Sequence, residues 1–317
     1  NEQVSKELNI QLQHKLVDTL ANENKKLKIT NKTFKKFVPQ QFLDKIAKDG
    51  LENININKAE SAKLAILFSD IRSFTTISER LHPEETLNLL NIHFSLFNKI
   101  VSTNNGFVDK YIGDEIMALF GDPNEKLSIT AYNAINTAIE MQDSLKKEDM
   151  QNLEYKLNIG IGIHIGQVIV GTVGSDERMD STVVGDAVNI SSRLQELTKI
   201  YENKILISGV TWRILNKEDN PFLAREINKL QLRGSSKPIT VFEIYNNDNK
   251  ELVDYKKNTQ NIYNAALDCY YNKKWKKSIK LFNQCLNIYP NDTIVKRHVD
   301  KCNNMLTKEN LLEEMNK

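Results

Sequence analysis

Two aspartates stand where an acid gains nothing from a hydrophobic core. Asp70 closes an apolar run, residues 64–68, in the string FSDIRSFT, and Asp114 sits at the turn of KYIGDEIMALFG. A lone carboxylate is costly to bury unless it is paired or bound to a metal. Two such acids, each at a strand end, would converge on a hard cation. Magnesium suits them because it takes a couple of carboxylates together with phosphate oxygens. A pair of divalent ions, Mg2+ or Mn2+, about 4 Å apart can activate an attacking hydroxyl and clamp a phosphate. Taken singly, each acid reads as a turn-former or a helix N-cap; taken with both flanking strings, the pair reads as a metal site.

The elements that must hold these acids follow from the pattern around them. AKLAILFSDI is a short apolar run suited to a buried strand, and GFVDKYIGDEIMALFG reads as strand, tight turn, strand, with Gly113 and Asp114 at the turn. Between them the residues from Pro83 to Asn104 form an amphipathic helix, with Leu87, Leu90, Phe94, Phe97 and Val101 inward and Pro83 in its first turn. A second helix covers about 128–145. LNIGIGIHIGQVIVGTVG gives two strands around Gly166, DAVNISSRLQELTKI a third helix, and KILIS and PITVFEIY late strands. Strands and helices alternate with hairpins between them, so the fold class is α+β, a sheet with helices packed on it, rather than a doubly wound sheet.

The strings FSDIRSFT, DKYIGDEIMALFG and VVGDAVNISSRLQ, in that order and spacing, resemble the catalytic domain of class III nucleotidyl cyclases over residues 61–245. The resemblance implies a ferredoxin-like cyclase domain that dimerises head to tail with active sites at the interface. It implies that Asp70 and Asp114, with the carbonyl of Ile71, bind two divalent ions. By position it implies that Lys110 and Thr182 read the purine, Asn189 orients the ribose and Arg193 stabilises the transition state. Arg233 or Lys237, in LRGSSKP, would hold the triphosphate. The implied reaction is an adenylyl cyclase's, ATP to 3′,5′-cyclic AMP and pyrophosphate, in signal transduction. Most adenylyl cyclases of the family carry aspartate where this chain has Thr182; threonine there is typical of a branch that is often bicarbonate-responsive, so bicarbonate is an expected effector to test.

The choice of base can also be argued from chemistry. Lysine is a pure donor and a threonine hydroxyl donates or accepts; adenine offers ring-nitrogen acceptors and an amino donor. Guanine presents a ring N–H and a 2-amino group, which ask for an acceptor in place of Lys110. A donor set against a donor leaves buried groups unpaired, which costs strongly. A guanylyl cyclase is disfavoured on this ground. A diguanylate cyclase lacks its GGDEF string here, and a non-catalytic nucleotide-binding module would ordinarily have lost one of Asp70, Asp114, Asn189 and Arg193, all present.

Other signals carry less. Gly160, Gly162 and Gly166 lack dinucleotide-loop spacing and precede a strand; they suit close approach of strands or protomers. His164, on an apolar strand, reads as a core residue, and His82 and His93 have no ligand partner at helical spacing. Residues 1–50 are expected to be a helical, coiled-coil transducing segment with a positions at Ile10, Val17, Asn24 and Asn31 and d positions at Gln13, Leu20, Leu27 and Phe34. It ends in KFVPQQFLDKI, where Phe37, Val38, Phe42 and Ile46 form an apolar face. The domain proper takes 61–247, and 252–317 form a helical tail whose first two helices resemble one tetratricopeptide repeat.

The 317 residues carry a net charge of +2, which calls for no nucleic acid, and no apolar run is long enough to span a bilayer. Three cysteines, Cys269, Cys285 and Cys302, lie near the end without C-x-x-C spacing, and a reducing cytoplasm fits them best. The chain opens on Asn1 inside a helical pattern, so the reading expects an upstream sensor, and localisation in the cytoplasm or as the cytoplasmic part of a membrane-anchored receptor.

Overall fold

The apolar run before Asp70 becomes the middle of the sheet. A computed structural model describes residues 2–34, 59–122, 124–147, 156–175, 179–215, 220–231 and 238–315. Strand β1 (Ala59–Ile71) buries Leu64, Ala65, Ile66, Leu67 and Phe68 to 4% exposure or less. It is flanked by β3 (Glu115–Phe120) on one side and β4 (Ile159–Gly174) on the other. The full order is β2 (Gly106–Ile112), β3, β1, β4, β6 (Ile205–Ser208), β8 (Ile239–Ile244), β7 (Ala224–Leu230), and β5 (Met179–Val184) pairs with β4 off this path. The β4–β6 pair is parallel, while β1–β3, β2–β3, β6–β8 and β7–β8 are antiparallel. The sheet is therefore mixed and the class α+β.

Both faces are covered, which is why several strands read as unbroken apolar runs. On β6, Ile205 and Ile207 join one core while Leu206 joins another, the alternation a pleated strand imposes. The first core lies under α3 (Pro83–Thr103) and α4 (Leu127–Ser144), with α6 (Gly209–Leu215) contributing Leu215; the short α2 (Phe74–Ser78) follows β1. The second lies under α5 (Asp186–Tyr201) and the tail helices α7 (Lys250–Tyr271), α8 (Trp275–Ile288) and α9 (Thr293–Met315).

The three expected strings of helix and the hairpin at Gly113 are all present, and Gly113 adopts φ +64°, where a side chain would be strained. Two expectations change, and one strand was not expected at all. Helix α3 buries Leu89, His93, Phe97 and Val101, and Leu87 is 61% exposed. Leu87 and Leu89 lie about 200° apart around a helix, so only one can face the sheet, and the 89–93–97–101 row wins. Residues 159–174 form one strand, not two, because Gly166 keeps extended backbone in a continuous β4. Strand β7 has no apolar alternation to announce it, since its inward residues include Arg225 and Asn228.

The tail packs on the sheet by a buried ionic network. Arg225 on β7 donates to Glu243 of β8 at 2.5 Å and to Asp292 before α9 at 2.6 Å, while Lys256 of α7 donates to Glu243 at 2.9 Å. Arg225, Glu243, Asp292 and Lys256 side chains are 1–5% exposed. Asp292 also accepts from the amides of Ile294 and Val295, capping α9.

By contacts the chain divides into two compact units, Ser61–Ile169 with Val183–Lys317, and Asn1–Glu60 with Val170–Thr182. The tail belongs to the first. The second contains α1 (Glu2–Phe34), whose described side chains are all exposed, Val17, Leu20 and Leu27 of the expected seam among them, together with Leu12, Leu16 and Ile29 off it. The KFVPQQFLDKI string lies outside the described residues. No described helix is long and apolar enough to cross a membrane, and Cys269, Cys285 and Cys302 are free and buried.

Candidate active site

Asp70 is delivered by the end of β1 and Asp114 by the turn between β2 and β3, and the register Ser69↔Ile116 brings the two ends together. The amide of Ile71 donates to Oδ2 of Asp114 at 3.1 Å. Burial pushes the Asp114 carboxyl up to about 6, helped by a hydrogen bond with Asp70 and by its charge, with the Ile71 amide opposing. Glu115, the next residue, is pushed up to about 7 by burial and then by the charges of Asp70 and Asp114, against Lys199. Two carboxyls brought together beside a third acid make a locus that asks for positive charge.

Part of that charge comes from α5. Lys199 places its ammonium 2.5 Å from Oδ2 of Asp70, and Gln195, one turn earlier, donates to the same oxygen at 3.3 Å. The strand end is fastened to the same helix by Arg72. Its guanidinium donates to the carbonyls of Thr198, at 3.1 Å, and Asn203 at the C-terminal end of α5, where carbonyls lack helical partners. Among the described residues no three His, Cys, Asp or Glu side chains form a metal cage. Asp70 and Asp114 instead offer two carboxylates, the kind of donor a hard divalent ion takes together with phosphate oxygens and water.

Helix α5 is set directly against the strands. Ser191 donates to the carbonyls of Ile66 and Gly162 at 2.7 and 3.0 Å. A Cβ on Gly162 would overlap the backbone of Ser191 and Gln195, so glycine there permits helix and strand backbones to touch, where the sequence suggested an approach of strands or protomers. Ser191, Leu194, Gln195 and Thr198 face inward and are buried. Asn189 is exposed, and Arg193 is half-buried with its Nε lacking a hydrogen-bond partner among the described residues. At about 100° per residue, the Asn189–Arg193 row lies roughly 120° around the helix from the Gln195–Lys199 row that meets Asp70.

Lys110 lies on β2 with its ammonium 3.3 Å from Asp109. Thr182 lies on β5, half-buried, in the other unit. Arg233 and Lys237 lie outside the described residues. So the structure brings Asp70, Ile71 and Asp114 together and sets Asn189 and Arg193 side by side on one helix. His164, as expected of a core residue, is buried and bonds Ser208 at 2.7 Å. Sequence reasoning missed Arg72, Glu115, Gln195 and Lys199. Arg72 and Glu115 adjoin the singled-out residues, and Gln195 and Lys199 share a helical row, which is the signal that could have found them.

A mixed sheet whose central strand and neighbouring hairpin deliver two acids to one point, crossed by a helix carrying Asn189 and Arg193, defines a nucleotidyl cyclase domain. The family described as the adenylate and guanylate cyclase catalytic domain matches residues 56–245, and the chain belongs to that family. It is 40% identical over 227 residues to an adenylate cyclase of Anabaena cylindrica, covering 69% of this chain and 44% of the relative. It is 31% identical over 268 residues to the terminal-differentiation-specific adenylate cyclase of Dictyostelium discoideum, covering 84% of this chain and 12% of the relative. The chain thus spans less than half the length of these curated relatives. Among solved structures, the adenylyl cyclase CyaB from P. aeruginosa superposes with a TM-score of 0.53 at 33% identity, over 59% of this chain and 95% of that one.

Proposed function

We propose that the chain is an adenylyl cyclase that converts ATP to 3′,5′-cyclic AMP and pyrophosphate as a homodimer. The observation that carries the reading is the meeting of Asp70 and Asp114, whose strand ends are in register and joined by the Ile71 amide donating to Asp114. Asp70, Asp114 and the Ile71 carbonyl would hold two divalent ions, Mg2+ or Mn2+, which when bound supply Lewis acidity to the ribose 3′-hydroxyl and neutralise phosphate charge. The 3′-oxygen loses its proton, forms a bond to the α-phosphorus and expels pyrophosphate. Lys110 and Thr182 read adenine, Asn189 orients the ribose, and Arg193 meets the charge that grows on the α-phosphate. Such a donor is typically worth a few kcal/mol, about 3 in measured cases. Arg233 or Lys237 holds the leaving triphosphate end.

The row of Asn189 and Arg193 faces away from the Asp70 of its own chain, and this supports a site shared between protomers, with Asp70 and Asp114 from one and Lys110, Thr182, Asn189 and Arg193 from the other. The exposed apolar residues of α1 support a parallel coiled coil that holds the pair in register. Bicarbonate as an effector rests on Thr182 alone, and equal rates with and without it at fixed pH would discard it.

The test is product analysis. The protein is incubated with ATP or GTP and Mg2+ or Mn2+, and cyclic nucleotide and pyrophosphate are separated and quantified. Cyclic AMP and pyrophosphate in equal amounts, lost in Asp70→Ala and Asp114→Ala, are expected. Cyclic GMP as the main product, or no cyclic nucleotide with either metal, overturns the reading.

A further inference from the structure

Strand β2 carries a bulge whose position has a chemical consequence. Its register against β3 runs Gly106↔Phe120, Phe107↔Leu119, Val108↔Ala118 and then jumps to Lys110↔Met117, so Asp109 is the extra residue. In a regular strand neighbouring side chains point to opposite faces; a bulge breaks that alternation and re-aims a side chain. Here it brings the side chains of Asp109 and Lys110 together, with Oδ2 and Nζ 3.3 Å apart.

The two partners are unequally placed. The Asp109 side chain is 1% exposed and that of Lys110 36%. Among the described residues no hydrogen bond of good geometry reaches either carboxylate oxygen of Asp109, and the Lys110 ammonium 3.3 Å away compensates its charge. Burial raises the Asp109 pKa and the Lys110 charge opposes that rise. An acid kept buried at such cost, with a single flexible lysine beside it, does little for stability. It does restrain the lysine: a four-carbon side chain that would sample many rotamers is drawn to one fixed oxygen, while the ammonium has three donors to share.

We propose that Asp109 is a positioning residue that fixes the Lys110 ammonium for recognition of the purine, so that the bulge in β2 is a determinant of base selectivity. The inference rests on the reading of Lys110 as the base reader.

Asp109→Asn keeps the shape and removes the charge; Asp109→Leu replaces a buried charge with an apolar group, a change that is often neutral or stabilising. Each is compared with Lys110→Met and with the Asp109→Asn/Lys110→Met double variant. The readouts are KM and kcat for ATP and GTP, calorimetric affinity for non-cyclisable 3′-deoxy-ATP, and the thermal midpoint. Both Asp109 variants are expected to raise KM and weaken 3′-deoxy-ATP binding about tenfold, the scale of one net hydrogen bond. The expected kcat change is smaller, the preference for ATP over GTP is eroded, and Asp109→Leu melts no lower than the parent. In the Lys110→Met background, Asp109→Asn should add nothing. Full additivity, unchanged KM and preference, or loss of cooperative folding in both variants overturns the inference. If Lys110→Met itself leaves ATP affinity and preference intact, the assignment of Lys110 falls instead, and if the parent makes no cyclic AMP the adenylyl cyclase reading falls.

Discussion

The ammonium of Lys199, in the last turn of α5, lies 2.5 Å from Oδ2 of Asp70 at the end of β1. A tethered cation thus occupies an oxygen that the proposed chemistry assigns to a divalent ion, and the two must compete for it. Lys199 is 54% exposed, and a pair this open to water is worth at most about 1 kcal/mol. Lys199→Met should therefore tighten apparent Mn2+ binding by no more than about fivefold, read as a lower Mn2+ concentration at half-maximal rise of the thermal midpoint. Weaker Mn2+ binding would show that Lys199 supports the ion rather than displacing it.

A second relationship sets a pH dependence away from the catalytic centre. His93 is fully buried against Phe97, their rings 4.1 Å apart, and neither ring nitrogen has a partner among the described residues. Burial lowers its pKa to about 4. Between about 4 and the unfolded value near 6.5 the unfolded chain binds more protons than the folded one, so this group's contribution is full above pH 6.5 and is lost as pH falls. At pH 5 the loss is roughly 2 kcal/mol. His93→Phe should narrow the gap in urea-unfolding stability between pH 7.5 and pH 5 by about that amount, and an unchanged gap would place the titration elsewhere.

What the sequence disclosed and what it hid divide along a physical line. The hairpin around Gly113 and the helix carrying Asn189 and Arg193 were legible because each is specified by its own few residues, a turn glycine in one case and an amphipathic row in the other. Strand β7 was not, because Arg225 faces inward and its charge is answered by Asp292, 67 positions along the chain; local pattern reads such a charge as solvent-facing. The same holds at the active site. Asp70 and Asp114 announced themselves by position, but the contacts of Asp70 with Gln195 and Lys199 depend on how α5 lies on β1 and β4. The glycine that permits that closeness, Gly162, was legible only as a site of close approach, without its partner. Asp109 escaped for another reason, since a bulge overrides the alternation from which faces are read.

The network at Arg225 makes the tail part of the catalytic unit's stability. Removing one member of a buried ion pair leaves an uncompensated charge and typically costs about 3–5 kcal/mol. Asp292 answers Arg225, accepts from Tyr255 at 3.0 Å and caps α9, so Asp292→Ala should lose at least that much, measured by urea unfolding. A loss below about 1 kcal/mol, the scale of an exposed pair, would mean that the tail is bound by its apolar core alone.

The orientation of α5 carries the last prediction. Ser191 is held inward by Ile66 and Gly162, and Gln195 and Lys199 turn toward Asp70. With those contacts fixed, helical geometry sends Asn189 and Arg193 to a different side, about 120° away, and in the proposed shared site one protomer's arginine would serve its partner's aspartates. An Asp70→Ala chain and an Arg193→Ala chain should each be nearly inactive as homodimers. Mixed, they should form a heterodimer in which one site has lost both groups and the other has kept both. With random pairing half the dimers are mixed, each with one site of two, so activity should return to about a quarter of the parent rate per chain if dimerisation is reversible. Heterodimers demonstrated by differential tagging, yet without recovered activity, would place Asp70 and Arg193 of the same chain in one site.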